Sequence, residues 1–88
     1  MCTYGTETIA AEGSGKGSTG WFALTDATVY YDHPIHFGAG HALMVDVINP
    51  ALGASSRVGI ELSAESAREL ALAILRSLDS VPAGLLES

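Results

Sequence analysis

Residues 21–48 read WFALTDATVYYDHPIHFGAGHALMVDVI, and this stretch decides the fold. Between Trp21 and Tyr31 the side chains alternate as in an extended chain. Ala27, Val29 and Tyr31 fall on one side, and Thr28, Tyr30 and Asp32 on the other. The pattern breaks at Asp32-His33-Pro34-Ile35-His36-Phe37-Gly38-Ala39-Gly40. Pro34 restricts its own φ and two glycines admit positive φ, so a turn or loop is expected there. Alternation resumes over His41–Ile48, with Leu43, Val45 and Val47 on one face and Met44, Asp46 and Ile48 on the other. A short link between two such strands favours antiparallel neighbours.

Downstream, Asn49-Pro50 ends this strand, and a loop through Gly53-Ala54-Ser55-Ser56 leads to a further strand, Arg57–Leu62, with Val58, Ile60 and Leu62 facing a core. Ser63 suits a helix N-cap, with Glu65 favourably placed in the first turn. Ala67, Leu70, Ala71, Ile74 and Leu78 then recur at helical spacing, while Ser66, Arg68, Glu69 and Arg76 supply a polar side. Pro82 and Gly84 mark the end of helical structure.

Upstream, Thr3–Glu12 is rich in threonine, carries Tyr4 and Ile9, and reads as a strand. Gly13-Ser14-Gly15-Lys16-Gly17-Ser18-Thr19-Gly20 places four glycines in eight residues and is expected to be a flexible hairpin loop. The sequence thus predicts an α+β fold: a four-stranded antiparallel meander with one C-terminal amphipathic helix packed on one face (β-β-β-β-α). Residues 1–82 form the expected single domain and 83–88 a loose tail. The face with Tyr30, Met44 and Ile48 would need a cover. A second copy of the chain, making a homodimer through the sheet, is the preferred one; a sheet curled into a half-barrel is the other.

Four Lys and Arg against ten Asp and Glu leave a net charge of −6 over 88 residues. Such a surface repels phosphate backbones and anionic bilayers, which argues against nucleic acid and membrane partners. No charged-then-apolar leader opens the chain and no apolar run reaches a membrane span, so the cytoplasm is the expected location. A single cysteine excludes an internal disulfide framework.

The chemistry-bearing feature is a histidine cluster. His33, His36 and His41 follow the spacing His-x2-His-x4-His, preceded by Asp32. Neutral imidazoles are common metal ligands, and three near one loop suit a divalent transition metal. If Glu12 opposes about Gly20 across the first hairpin, Cys2 opposes about Tyr30. One sheet end then gathers Cys2, Asp32, His33, His36, His41 and Glu65. A thiolate among imidazoles favours zinc, with copper or iron as alternatives. The expected metal ligands are therefore His33, His36, His41 and Cys2, with an open coordination position for metal-assisted chemistry on a small molecule. Solvated loop histidines are the competing reading of the same spacing.

Two further readings stand beside it. One is a metal-free enzyme of the cyclase or isomerase kind, using His33 or His36 as acid or base in a pocket between helix and sheet. The other is a non-catalytic dimeric ligand-binding or accessory protein. Gly13-Ser14-Gly15-Lys16-Gly17 is not a phosphate loop, because Gly17 stands where Ser or Thr must follow Lys and a strand follows instead of a helix. Lys16 at its tip could still touch an anionic ligand. Cys2 as a nucleophile, exposed by removal of Met1, lacks any supporting local signature.

Met1-Cys2-Thr3-Tyr4-Gly5-Thr6, Gly13-Ser14-Gly15-Lys16-Gly17, Gly20-Trp21-Phe22, Val29-Tyr30-Tyr31-Asp32-His33-Pro34-Ile35-His36, Asn49-Pro50 and Glu61-Leu62-Ser63-Ala64-Glu65-Ser66-Ala67-Arg68 together resemble a small family of actinomycete proteins with no established activity. The resemblance spans nearly the whole chain. It implies a stand-alone intracellular domain and supplies no catalytic residues.

Overall fold

The computed structural model describes residues 4–86. Four strands form one antiparallel sheet in the order β1-β2-β3-β4: β1 (Tyr4–Gly17), β2 (Gly20–Asp32), β3 (Ala42–Ile48) and β4 (Arg57–Leu62). One helix, α1 (Ala64–Asp79), follows, and the chain ends in a 3₁₀ turn over Ala83–Leu85. The architecture is the β-β-β-β-α meander that alternation and helical spacing predict.

Two departures matter. The glycine-rich segment is not a loop: β1 runs on to Gly17, and only Ser18 and Thr19 separate the paired Gly17 and Gly20. Tertiary packing overrides the low strand propensity of glycine here. A side chain at Gly17 would crowd the Phe22 ring, its Cβ lying 3.3 Å from the ring and 2.8 Å from the Ser55 carbonyl oxygen. The glycines let this arm of the hairpin curl toward the start of β4. Asn49, itself buried, holds the arm by donating from Nδ2 to the Ala23 carbonyl at 2.7 Å.

The register of the first hairpin also differs from expectation. Gly17, not Glu12, opposes Gly20, and Tyr4 pairs with Tyr31. Irregularities between Tyr4 and Glu7 and between Ala10 and Gly13 each insert an extra β1 residue. Gly5, with φ of +56°, supplies the left-handed conformation at the first. The expected pairing of Cys2 with Tyr30 falls on residues outside those described, but the observed register removes its premise.

One sheet face carries Ile9, Val29, Leu43, Val45, Ile60 and Leu62, and α1 packs against this face at β3 and β4. The opposite face carries Thr28, Tyr30, Met44, Asp46, Arg57 and Glu61. Helix α1 starts as its sequence dictates. Ser63 Oγ accepts from the Ser66 N–H at 3.1 Å, Glu65 lies in the first turn and Arg76 in the last. Among the described residues no helix is long and apolar enough to cross a membrane.

Candidate functional site

The face opposite α1 holds a pocket. Its floor is built by strand alternation: Tyr30 from β2, Met44 and Asp46 from β3, Arg57, Gly59 and Glu61 from β4. Its wall is the β2–β3 loop, which contributes Ile35, His36 and Phe37. The cavity volume is about 560 Å³, open to solvent on one side.

Glu61 holds that wall in place. Its Oε2 accepts from the Ile35 N–H at 2.8 Å, and its Oε1 accepts from the N–H groups of His36 and Phe37 at 2.9 and 2.6 Å. Three successive backbone donors thus end on one carboxylate. These hydrogen bonds, led by that from Ile35 and helped by the nearby His36, hold the Glu61 pKa below its ordinary value.

Asp46 organises the floor. Oδ2 accepts from the Tyr30 hydroxyl at 3.1 Å and Oδ1 accepts from Arg57 Nη2 at 2.8 Å. Burial, then the hydrogen bond to Asp46, raises the Tyr30 pKa. Gly59 sits directly opposite Asp46 in the register, and a Cβ there would come within 2.8 Å of Asp46 Oδ1. The pocket therefore joins an apolar wall of Ile35, Phe37 and Met44 to a polar floor with a fixed donor–acceptor order.

The histidines divide. His33 and His41 flank the loop at one sheet end, their ring centroids 4.4 Å apart. His41 stacks on Tyr31 at 5.7 Å and is tilted against Tyr4 at 6.5 Å. His33 Nδ1 lies 2.8 Å from the Gly40 carbonyl. A carbonyl only accepts, so Nδ1 carries the proton, and Nε2 of the neutral ring is left with its lone pair free. Asp32 Oδ1 accepts from the His33 backbone N–H at 2.7 Å.

His36 stands apart from this pair, with its backbone tied to Glu61 and its side chain at the pocket rim. Among the described residues no three His, Cys, Asp or Glu side chains are grouped to hold a metal ion. Cys2 lies outside the described residues, and Glu65 is exposed in the first turn of α1.

A second, almost wholly apolar cleft of about 460 Å³ lies between α1 and the sheet. An acid–base imidazole was expected there, but the lining is Val29, Leu43, Val45 and Leu62 opposite Ala67, Leu70 and Ile74, with no histidine. The β2–β3 loop places His36 at the rim of the pocket on the opposite face, and His33 packs against His41 at the sheet end.

Sequence reasoning missed Tyr30, Asp46, Arg57 and Glu61 as a group. A signal existed: Asp46 interrupts the apolar run of β3, and Arg57 and Glu61 share a strand face by alternation. Only the β3–β4 register, Asp46 opposite Gly59, brings them together.

Fold and site together define a small α+β protein of the β-β-β-β-α kind, with a loop-walled pocket on the sheet face away from its helix. The chain belongs to a family of unknown function, DUF6295, whose model matches residues 1–87. No curated protein and no solved structure matches it.

Proposed function

We propose that this protein is a small-molecule-binding protein whose site is the pocket under the β2–β3 loop. The observation that supports this reading is the convergence of Tyr30, Asp46, Arg57 and Glu61 beneath an apolar wall, in a cavity of about 560 Å³. Ligand pockets set a few placed polar groups beside apolar surface, and here the polar groups share the lining with Ile35, Phe37 and Met44. The matching ligand has an apolar body to lie against Ile35, Phe37 and Met44. Its polar end presents an acceptor to the guanidinium N–H groups of Arg57 that Asp46 does not use. The test is NMR of ¹⁵N-labelled protein with fractions of a metabolite extract. Shift changes should map to Tyr30, residues 35–37, Met44 and residues 57–61, and should vanish in Arg57→Ala. Changes confined to α1 and the facing sheet would reject the site.

A metal reading rests on a different observation: the anchored His33 ring beside His41, with Nε2 of His33 free. Here a divalent transition metal, zinc before copper or iron, takes His33 and His41 as ligands, with His36 and Cys2 as the remaining candidates from the sequence. Elemental analysis of protein purified without a polyhistidine tag tests it. Failure to retain metal after zinc or copper addition ends this reading and leaves the pocket reading intact.

A further inference from the structure

We infer that the chain is an obligate two-fold homodimer in which the two α1 helices form the central layer between the two sheets. The first argument is area. The chain exposes 6379 Å², whereas a compact monomer of its 9.1 kDa mass exposes about 4,900 Å². The excess, about 1,500 Å² per chain, amounts to about 3,000 Å² per pair, inside the range of obligate homodimer interfaces. The Cα radius of gyration agrees: 14.5 Å, against about 12 Å for a compact domain of this length.

The second argument locates the missing cover. Among the described residues no large side chain is fully buried, and no residue of α1 is more than partly buried. Residues 70–75 of α1 read LALAIL, so over these two turns apolar side chains also stand on the face turned away from the sheet, between Arg68 and Arg76. Ile74 faces the sheet yet is 52% exposed beside the apolar cleft, while Leu72 and Leu75, outside that lining, are 47% and 57% exposed. Ile9, on the same sheet face, is 58% exposed.

The third argument selects a second copy as the occupant. The shortfall lies in the core that the fold itself requires, so the cover must accompany every molecule, and an identical chain always does. Two cations are open to such a contact: Arg68 and Arg76 on α1 have no carboxylate within ion-pair distance among the described residues, and Glu7 is exposed on the sheet face that α1 packs against. The second copy thus covers the helix side, not the Met44 face. Met44 is buried within its own chain, and the pocket beside it stays open in the dimer.

Sedimentation equilibrium and light scattering on the full chain test this. The expected species has twice the 9.1 kDa chain mass at micromolar concentration. Leu75→Glu should weaken association by about a hundredfold or more, since each substitution acts twice across the axis. Leu52→Glu, on a surface loop, should leave the dimer unchanged. If Leu75→Glu fails to fold, the unaltered protein decides: its melting temperature should rise with concentration, as mass action requires for a dimer. A folded 9.1 kDa species whose melting temperature does not depend on concentration overturns the inference, as does association only with a different protein.

Discussion

The Tyr30 hydroxyl donates to Asp46 Oδ2 at 3.1 Å, across the β2–β3 pair, while the other carboxylate oxygen of Asp46 is held by Arg57. A carboxylate shared in this way fixes the direction of both hydrogen bonds it accepts. It also favours the protonated phenol, as burial does, so Tyr30 should ionise above the ordinary value of 10.0. A raised folded pKa contributes stability that is complete below the ordinary tyrosine value and is lost as pH climbs through the raised one. Ultraviolet titration of the phenolate, with Tyr30→Phe to assign the signal, should show a late-ionising tyrosine. In Asp46→Asn its pKa should move back toward 10.0 without reaching it, because burial persists.

Glu61 behaves in the opposite sense. Its folded pKa is lowered, so its contribution is complete above the ordinary value of 4.5 and is lost as pH falls through the lowered one. Amide resonances of Ile35, His36 and Phe37 should titrate together in that acid range. Glu61→Ala should broaden or shift these three amides at neutral pH and abolish their common titration, with β1 and β2 amides unaffected. Independent titration of the three would contradict a single carboxylate cap.

Gly59 is a test of packing. A Cβ at this position would press on Asp46 Oδ1, which Arg57 holds, while Tyr30 holds Oδ2 of the same carboxylate. Gly59→Ala should therefore cost about 1–3 kcal/mol by urea denaturation, the usual range for overpacking. The same substitution at Gly13, where a Cβ meets nothing, should cost far less.

Ser63 tests the helix start. Ser63→Ala removes the acceptor for the Ser66 N–H and should destabilise the protein by about 1 kcal/mol. That corresponds to about 4–8 °C in melting temperature for a domain of this size. Ser63→Asp should restore most of the loss.

The histidine pair gives a separate expectation. Because Nδ1 of His33 is held by Gly40, zinc titration followed by ¹H–¹⁵N imidazole spectra should perturb Nε2 of His33 and a ring nitrogen of His41 together. A response from His36 alone would rule out the pair as a ligand set.

The sequence carried the strand alternation of residues 27–31 and 43–48, the Arg57–Leu62 strand, the Ser63 cap and the helical spacing to Leu78. These are local properties of period and capping, and all appear in the structure. It also placed His33 and His41 at one sheet end, because that follows from two antiparallel strands joined by one loop. The glycine segment was misread because its backbone preference is weaker than the packing of Phe22 and the anchoring by Asn49, neither of which is local.

By itself, then, the sequence determined element order, the antiparallel topology and, outside the glycine segment, element type, since each depends on neighbours along the chain. Tertiary structure alone decided the register that aligns Tyr30, Asp46, Arg57 and Glu61, and the parting of His36 from the other two rings. It also decided the surplus of exposed apolar surface on α1. Each of these depends on distances between residues far apart in the chain, where a slip of one position turns a side chain to the other face of the sheet.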